Sequence, residues 1–247
     1  LFTASIALTA AIGIVWLMWT ARRIGESPVR WLDALLGLMI GGLIGGRAGH
    51  VILDWAYFSV QPDQITDLSN GGFDWHGALF LGMIGAVLIS MLRRVPFGKL
   101  CDALAVVFPV GVLAIWGACG GSACAYGQTV RTLADYPGWL AIESPDVYGQ
   151  IAPRINLSGI GVWFGVLLLI GVIIATWRGW FSGLRLWITI AIFSAGQVIL
   201  DQFRGDDVAI WYGRRADQWL DIGGIGLAIA IIVVITLNVR SQANMRT

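Results

Sequence analysis

LSGIGVWFGVLLLIGVIIATW, Leu157 to Trp177, has no charged side chain from end to end. Its only hydroxyl residues, Ser158 and Thr176, lie at opposite ends, so a helix made of it has no polar face to turn toward water. At 1.5 Å of rise per residue the run is about 30 Å long, the thickness of a bilayer's hydrocarbon core. Such a segment is stable only with lipid or other apolar helices around it, and a helix satisfies its own backbone hydrogen bonds there.

Six more mostly apolar windows lie to either side: Leu1 to Thr20, Leu32 to Phe58, Gly77 to Leu92, Leu100 to Ala118, Leu184 to Leu200 and Trp219 to Val239. The expected fold is an all-α integral membrane protein of seven transmembrane helices, forming one polytopic domain over residues 1–247. An odd number of crossings puts the two ends on opposite sides. The second window is the longest and holds Arg47 and His50, so its outer part is expected to bend or to line a polar cavity. Between windows four and five, residues 119–156 form the longest loop. Pro137, Gly138, Pro145, Gly149 and Pro153 predict irregular backbone there.

Composition agrees with this reading. Of 247 residues 57% are hydrophobic and only 13% charged, against about a quarter charged in ordinary soluble domains. The near-neutral net charge of +1 hides a strong asymmetry. Arg22, Arg23, Arg30, Arg93, Arg94, Lys99, Arg178, Arg185, Arg240 and Arg246 flank the ends that share a side, whereas Asp54, Asp63, Asp67, Asp74, Asp135, Glu143, Asp146, Asp201 and Asp206 flank the others. Basic loops stay in the cytoplasm, so the N-terminus and the long loop are predicted outside and the C-terminus inside. Many of the 13 tryptophans fall near window ends, where indoles anchor helices at the interface. Lys99 is the only lysine and no basic stripe exists, which excludes a retinal Schiff base within the bundle and disfavours nucleic acid as a partner.

Few residues can carry chemistry at membrane depth. Arg47 sits among small residues in Gly45-Gly46-Arg47-Ala48-Gly49-His50 and is read either as an ion-pair partner of an acid such as Asp54 or Asp201, or as a clamp on a lipid phosphate. His76 opens window three after Gly71-Gly72-Phe73-Asp74-Trp75, and an imidazole at the interface can take a proton from a nucleophile. Arg204, in Asp201-Gln202-Phe203-Arg204-Gly205-Asp206-Asp207, can hold a phosphate bidentately. All map to the outer half of the bundle, beside the lipid headgroups. Cys119 and Cys124 either bridge or stay as free thiols. No spacing of cysteines or histidines suggests a metal site, and no cofactor is expected.

At these residues the chain resembles the prolipoprotein diacylglyceryl transferase family of bacterial enzymes. Gly45 to Val51 is similar to its Gly-(Ala/Gly)-Arg-x-Gly-(Tyr/His) stretch, Gly71 to Gly77 to its Gly-Gly-x-x-x-His-Gly motif, and Phe203 to Asp206 to Phe-Phe-Arg-Gly-Asp. Gln218-Trp219-Leu220 resembles the opening of the last helix. The resemblance implies a multi-pass protein of the bacterial cytoplasmic (inner) membrane that moves a diacylglyceryl group from phosphatidylglycerol to the cysteine of a prolipoprotein signal peptide. In that reading His76 and Arg204 are catalytic. His76 assists thiol deprotonation and Arg204 holds the departing phosphate, while Arg47, His50, Asp201, Gln218 and Tyr126 surround the substrate. The family's arginine signature after the fourth helix is missing: Trp116 to Gly127 ends in the matching Tyr126-Gly127, but no arginine or lysine lies between Lys99 and Arg131. Arg131 is the nearest cation that could replace it.

That gap supports an alternative, a family member without catalysis acting as a structural or lipid-binding subunit of a larger membrane complex. A haem carrier using His50 and His76 as axial ligands is a distant third, which a visible spectrum decides. A serine protease built on Ser158 lacks a histidine on or beside its helix.

Overall fold

The structure is a computed structural model and describes residues 2–68, 71–122 and 124–244. Leu1, Ala123 and Arg246, which figure in the sequence reading, lie outside the described residues. Eight α-helices follow in order: α1 Phe2–Arg23, α2 Pro28–Leu53, the single-turn α3 Trp55–Phe58, α4 Trp75–Arg93, α5 Phe97–Ser122, α6 Leu157–Trp177, α7 Arg185–Leu200 and α8 Ala216–Asn244. All but α3 belong to segments long and apolar enough to cross a bilayer, seven in all among the described residues. They leave large apolar side chains uncovered, among them Leu8, Leu43, Leu167 and Trp177, a surface suited to lipid tails and not to water.

The helix ends follow local chemistry. Window two is not one run to Phe58: α2 stops at Leu53, and Asp54 leaves helical geometry at φ −106° and ψ 32°, the expected bend. Pro28 fits the first turn of α2, where a missing N–H costs nothing. Asp74 caps α4, its Oδ1 accepting from Gly77 N at 2.7 Å. Pro109 lies inside α5. Its missing donor costs one helical hydrogen bond.

The loop before α6 is less irregular than its prolines and glycines predict. β1 Ala141–Pro145 and β2 Ile151–Ile155 pair antiparallel, Ala141 opposite Ile155 and Pro145 opposite Ile151. Ile142, Ile151 and Ile155 supply β-branched positions. Asp146 closes the turn, its Oδ1 accepting from Tyr148 N at 2.9 Å and Gln150 N at 3.0 Å. A second short ribbon, β3 Ile210–Trp211 with β4 Arg214–Arg215, precedes α8.

The chain divides into two compact units. One comprises Leu1–Gly13, Cys101–Val208 and Asp217–Thr247, the other Ile14–Leu100 and Ala209–Ala216. In the first, Phe108 meets Phe193 edge-on at 5.2 Å. Asp102 ties α5 to the start of α7, accepting from Gly183 N at 2.7 Å and pairing with Arg185 Nη1 at 3.3 Å. In the second, α2 and α4 touch along a seam of glycines, Gly37, Gly41 and Gly45 against Gly85, Leu81 and Gly77. That contact lets the two backbones meet.

Candidate functional site

In the unit holding α2 and α4, Arg47, His50 and His76 come together around residues 64–68 and 71–74. Arg47 Nε donates to Ile65 O at 2.9 Å, Nη1 to Gly71 O at 2.9 Å and Gly72 O at 3.0 Å, and Nη2 to Asp67 O at 2.8 Å and to Gln64 O. A guanidinium has five N–H groups, and here all five go to backbone carbonyls. The Phe58 ring lies 5.2 Å from its Cζ. Within this unit the cation does not pair with Asp54, one of the alternatives the sequence offers; it gathers the carbonyls of one loop, which would otherwise be left short of donors. His50 pairs with Asp54 instead, Nδ1 to Oδ2 at 3.0 Å one helical turn apart.

His76 is held from its other side. Its Nδ1 lies 3.0 Å from Asp74 Oδ2, both side chains being about nine-tenths buried, and the Trp75 ring lies against the imidazole, tilted by 34° with the centroids 3.8 Å apart. Asp74 is fixed three ways: Oδ1 takes the Gly77 N–H, Oδ2 meets His76, and its own N–H donates to Gly46 O at 2.8 Å. Burial pushes the Asp74 carboxyl up, but the His76 hydrogen bond and charge, the Gly77 N–H and the charge of His50 outweigh it, leaving it below its ordinary 3.8.

In the other unit Arg204 is the hub. Nε and Nη2 grip Asp206 bidentately at 2.8 and 2.6 Å, and Nη1 lies 3.4 Å from both Asp201 and Asp217. Burial opposes the charge, yet the Asp206 hydrogen bonds and the three carboxylates hold the guanidinium above the ordinary arginine range. Asp201 is buried, and so is Gln218, whose Nε2 donates to Val198 O at 3.1 Å.

Tyr126 sits beside this hub because its strand pairs with Arg204's. Gly205 N donates to Tyr126 O and Gln128 N to Phe203 O, both at 2.8 Å, and Gly127 bridges Arg204. On the opposite edge Thr129 bridges Arg154, with Ile155 N donating to Gln128 O at 3.0 Å. The Arg154 guanidinium lies 4.7 Å over the Tyr126 ring and pairs with Asp146 at 3.0 Å. Burial, Asp146 and Asp206 raise the Tyr126 phenol above its ordinary range. Just upstream, Cys119 and Cys124 form a disulfide, the alternative the sequence left open.

The structure thus brings Arg47, His50 and His76 together in one unit, and Tyr126, Asp201, Arg204 and Gln218 in the other. Sequence reasoning passes over Asp74, Asp206, Asp217 and Arg154. Asp74 had a readable signal, an aspartate three residues before a helix-opening glycine. Asp206 had one in its nearness to Arg204. Arg154 had none, because only the β-ribbon carries it to Tyr126. Arg131, the cation the sequence offers, is exposed.

Comparison with known proteins gives a consistent picture. The profile of the family described as prolipoprotein diacylglyceryl transferase matches residues 1–234. Over 227 residues the chain is 29% identical to the phosphatidylglycerol–prolipoprotein diacylglyceryl transferase of Symbiobacterium thermophilum, covering 86% of this chain and 80% of that one. It is 26% identical over 237 residues to the transferase of the same name from Agrobacterium fabrum, covering 88% and 80%. The Bacillus cytotoxicus protein is 25% identical over 235 residues, covering 90% and 84%.

Proposed function

Because the chain belongs to the prolipoprotein diacylglyceryl transferase family, we propose that it transfers the diacylglyceryl group of phosphatidylglycerol to the lipobox cysteine of a prolipoprotein signal peptide. The reaction takes place at the outer face of the bacterial cytoplasmic membrane. The N-terminus and the 119–156 loop are outside, the C-terminus inside, and residues 1–247 act as one polytopic domain. The observation that carries this reading is His76, buried and hydrogen-bonded to a carboxylate at the mouth of α4, within a chain matched by the family almost from end to end.

The chemistry is a substitution at carbon. The cysteine thiol loses its proton to His76, the thiolate attacks the glyceryl carbon bonded to the phosphate ester, and the C–O bond breaks as the S–C bond forms. Glycerol phosphate leaves with the bonding pair. A free cysteine is mostly protonated at neutral pH, so a base is needed, and the departing phosphate needs a cation. Arg204 is that cation, with Asp201, Tyr126 and Gln218 shaping its surroundings. Arg47 and His50 serve the substrate through residues 64–68 and 71–72, whose carbonyls Arg47 gathers.

A second reading, a non-catalytic subunit of a membrane complex, is favoured by one specific observation: Asp206 already fills the bidentate face of Arg204. Incubation of the purified protein with phosphatidylglycerol and a lipobox-cysteine peptide separates the two. The transferase gives a diacylglyceryl adduct by mass spectrometry that is lost in His76→Gln and Arg204→Ala. No adduct, under conditions where a relative is active, selects the subunit.

A further inference from the structure

A helix cap needs one oxygen. At the N-terminus of α4 that oxygen is Asp74 Oδ1, which takes the Gly77 N–H at 2.7 Å, and serine, threonine or asparagine would cap as well. The second oxygen, Oδ2, has a different neighbour, His76 Nδ1 at 3.0 Å. Holding the carboxylate there takes two further features. Asp74 N is bonded to Gly46 O on α2, and Gly49 has no Cβ where one would stand 2.8 Å from Asp74 Oδ1. Both glycines fall in the Gly45–Gly49 stretch, so α2 is cut away around this carboxylate.

We propose that Asp74 is a positioning residue that fixes His76 as the Nδ1–H tautomer and thereby makes Nε2 the proton-accepting nitrogen. An ionised carboxylate can only accept hydrogen bonds, so the ring nitrogen facing it must carry the hydrogen. In neutral imidazole the other nitrogen then holds the lone pair. The Trp75 ring, tilted by 34° against the imidazole with the centroids 3.8 Å apart, hinders the imidazole from turning over. When the cysteine proton moves to Nε2, the resulting imidazolium faces a negative charge already in place, so no group has to rearrange during the step. The tautomer assignment stands on geometry alone, and only its catalytic consequence rests on the transferase reading.

The structure also fixes how the tautomer can be reversed. In Asp74→Asn the amide oxygen must stay on the Gly77 N–H to keep the cap. The amide nitrogen, a donor only, then faces His76 Nδ1 and forces that nitrogen to accept, moving the hydrogen to Nε2. Asp74→Ser keeps the cap and removes the partner, leaving the tautomers mixed. The chain has only two histidines, so 15N-histidine NMR of the protein in lipid nanodiscs, with His50→Gln for assignment, reads His76 directly.

The expected result is an Nδ1–H signature in the wild type, an Nε2–H signature in Asp74→Asn, and an averaged shift in Asp74→Ser, with thermal midpoints of wild type and Asp74→Asn close together. In the transfer assay kcat falls at least about 100-fold in Asp74→Asn with KM little changed, the size expected when a general base is lost, and falls less in Asp74→Ser. A wild type carrying Nε2–H, or an Asp74→Asn protein with unchanged tautomer, overturns the proposal, and so does an Asp74→Asn enzyme with wild-type kcat. A wild type inactive toward the peptide overturns the transferase reading instead and leaves the NMR result to decide the tautomer.

Discussion

Gly45 and Gly77 meet backbone to backbone where α2 crosses α4: a Cβ on either would run into the other's carbonyl oxygen. Gly42, on the same helix, faces Ala78 O with ordinary van der Waals room of 3.5 Å. Small residues at such a crossing let helix dipoles and Cα–H groups pack closely, because lipid supplies little hydrophobic drive between helices. Gly45→Val and Gly77→Val should therefore destabilise by about 1–3 kcal/mol or more through overpacking, and Gly42→Ala should be neutral or slightly stabilising through helix propensity. Thermal unfolding in one detergent reads all three. Equal midpoints would mean the seam does not hold the pair together.

Arg47 should not tolerate lysine. An ammonium offers three donors from one point, whereas the five carbonyls around Arg47 belong to Gln64, Ile65, Asp67, Gly71 and Gly72 and are spread to fit a planar fork. Arg47→Lys keeps the charge and strands at least two carbonyls, each lost bond to a charged donor costing about 1.5–3 kcal/mol. Faster hydrogen exchange at residues 64–68 and 71–72, with α2 and α4 still protected, is the expected outcome. A lysine variant with native exchange there would show that charge alone organises the loop.

The difference between these two sites also explains what was legible in the sequence. The seven long helices were readable because bilayer thickness and backbone hydrogen bonding leave an apolar run few alternatives; one window, Leu157 to Trp177, matches its helix to the residue, and the others differ at one or both ends. A bend in the outer part of window two was readable from Arg47 and His50, but its place at Asp54 was not, because the apolar run resumes at Trp55. The β1–β2 ribbon was hidden under its own turn signals: Pro145 and Gly149 mark the reversal, but three isoleucines are too few to announce the strands. His76 and Arg204 stood out as ionisable groups near membrane segments. Their partners were harder, since Arg47 binds backbone carbonyls, which every residue has. Arg154 reaches Tyr126 only through pairing across 25 residues or more of chain.

Acid should weaken the Asp74 arrangement in a defined window. The carboxyl is held below its ordinary 3.8 by the His76 bond and charge and the Gly77 N–H, against the pull of burial. A group depressed on folding contributes stability that is complete above its unfolded value and disappears as pH falls through its folded value. The wild-type advantage over Asp74→Ser should therefore be present above the ordinary 3.8 and shrink as pH falls below it. Thermal midpoints of the two proteins across that range give the difference directly. An advantage that persists unchanged well below the window would show that the carboxylate's charge is not what stabilises the cap.

Arg204 presents the sharpest conflict between structure and proposed activity. Its guanidinium is met by Asp201, Asp206 and Asp217, one positive charge among three carboxylates, and Asp206 occupies the two-pronged face a phosphate would use. A phosphodiester arriving there must displace Asp206 and approach a net negative cluster. Asp206→Asn removes one of those charges and leaves an amide that competes weakly for a guanidinium. It should lower KM for phosphatidylglycerol several-fold, whereas Arg204→Lys, lacking the fork, should raise it and cut kcat. The pair of variants discriminates because a purely structural role for the Arg204–Asp206 grip predicts the reverse for Asp206→Asn: loss of folded protein, with the Tyr126–Gln128 strand released from residues 203–205, and no gain in lipid affinity. Steady-state kinetics at varied phosphatidylglycerol in mixed micelles, run beside hydrogen exchange of that strand, separates a carboxylate that yields its place to phosphate from one that never leaves.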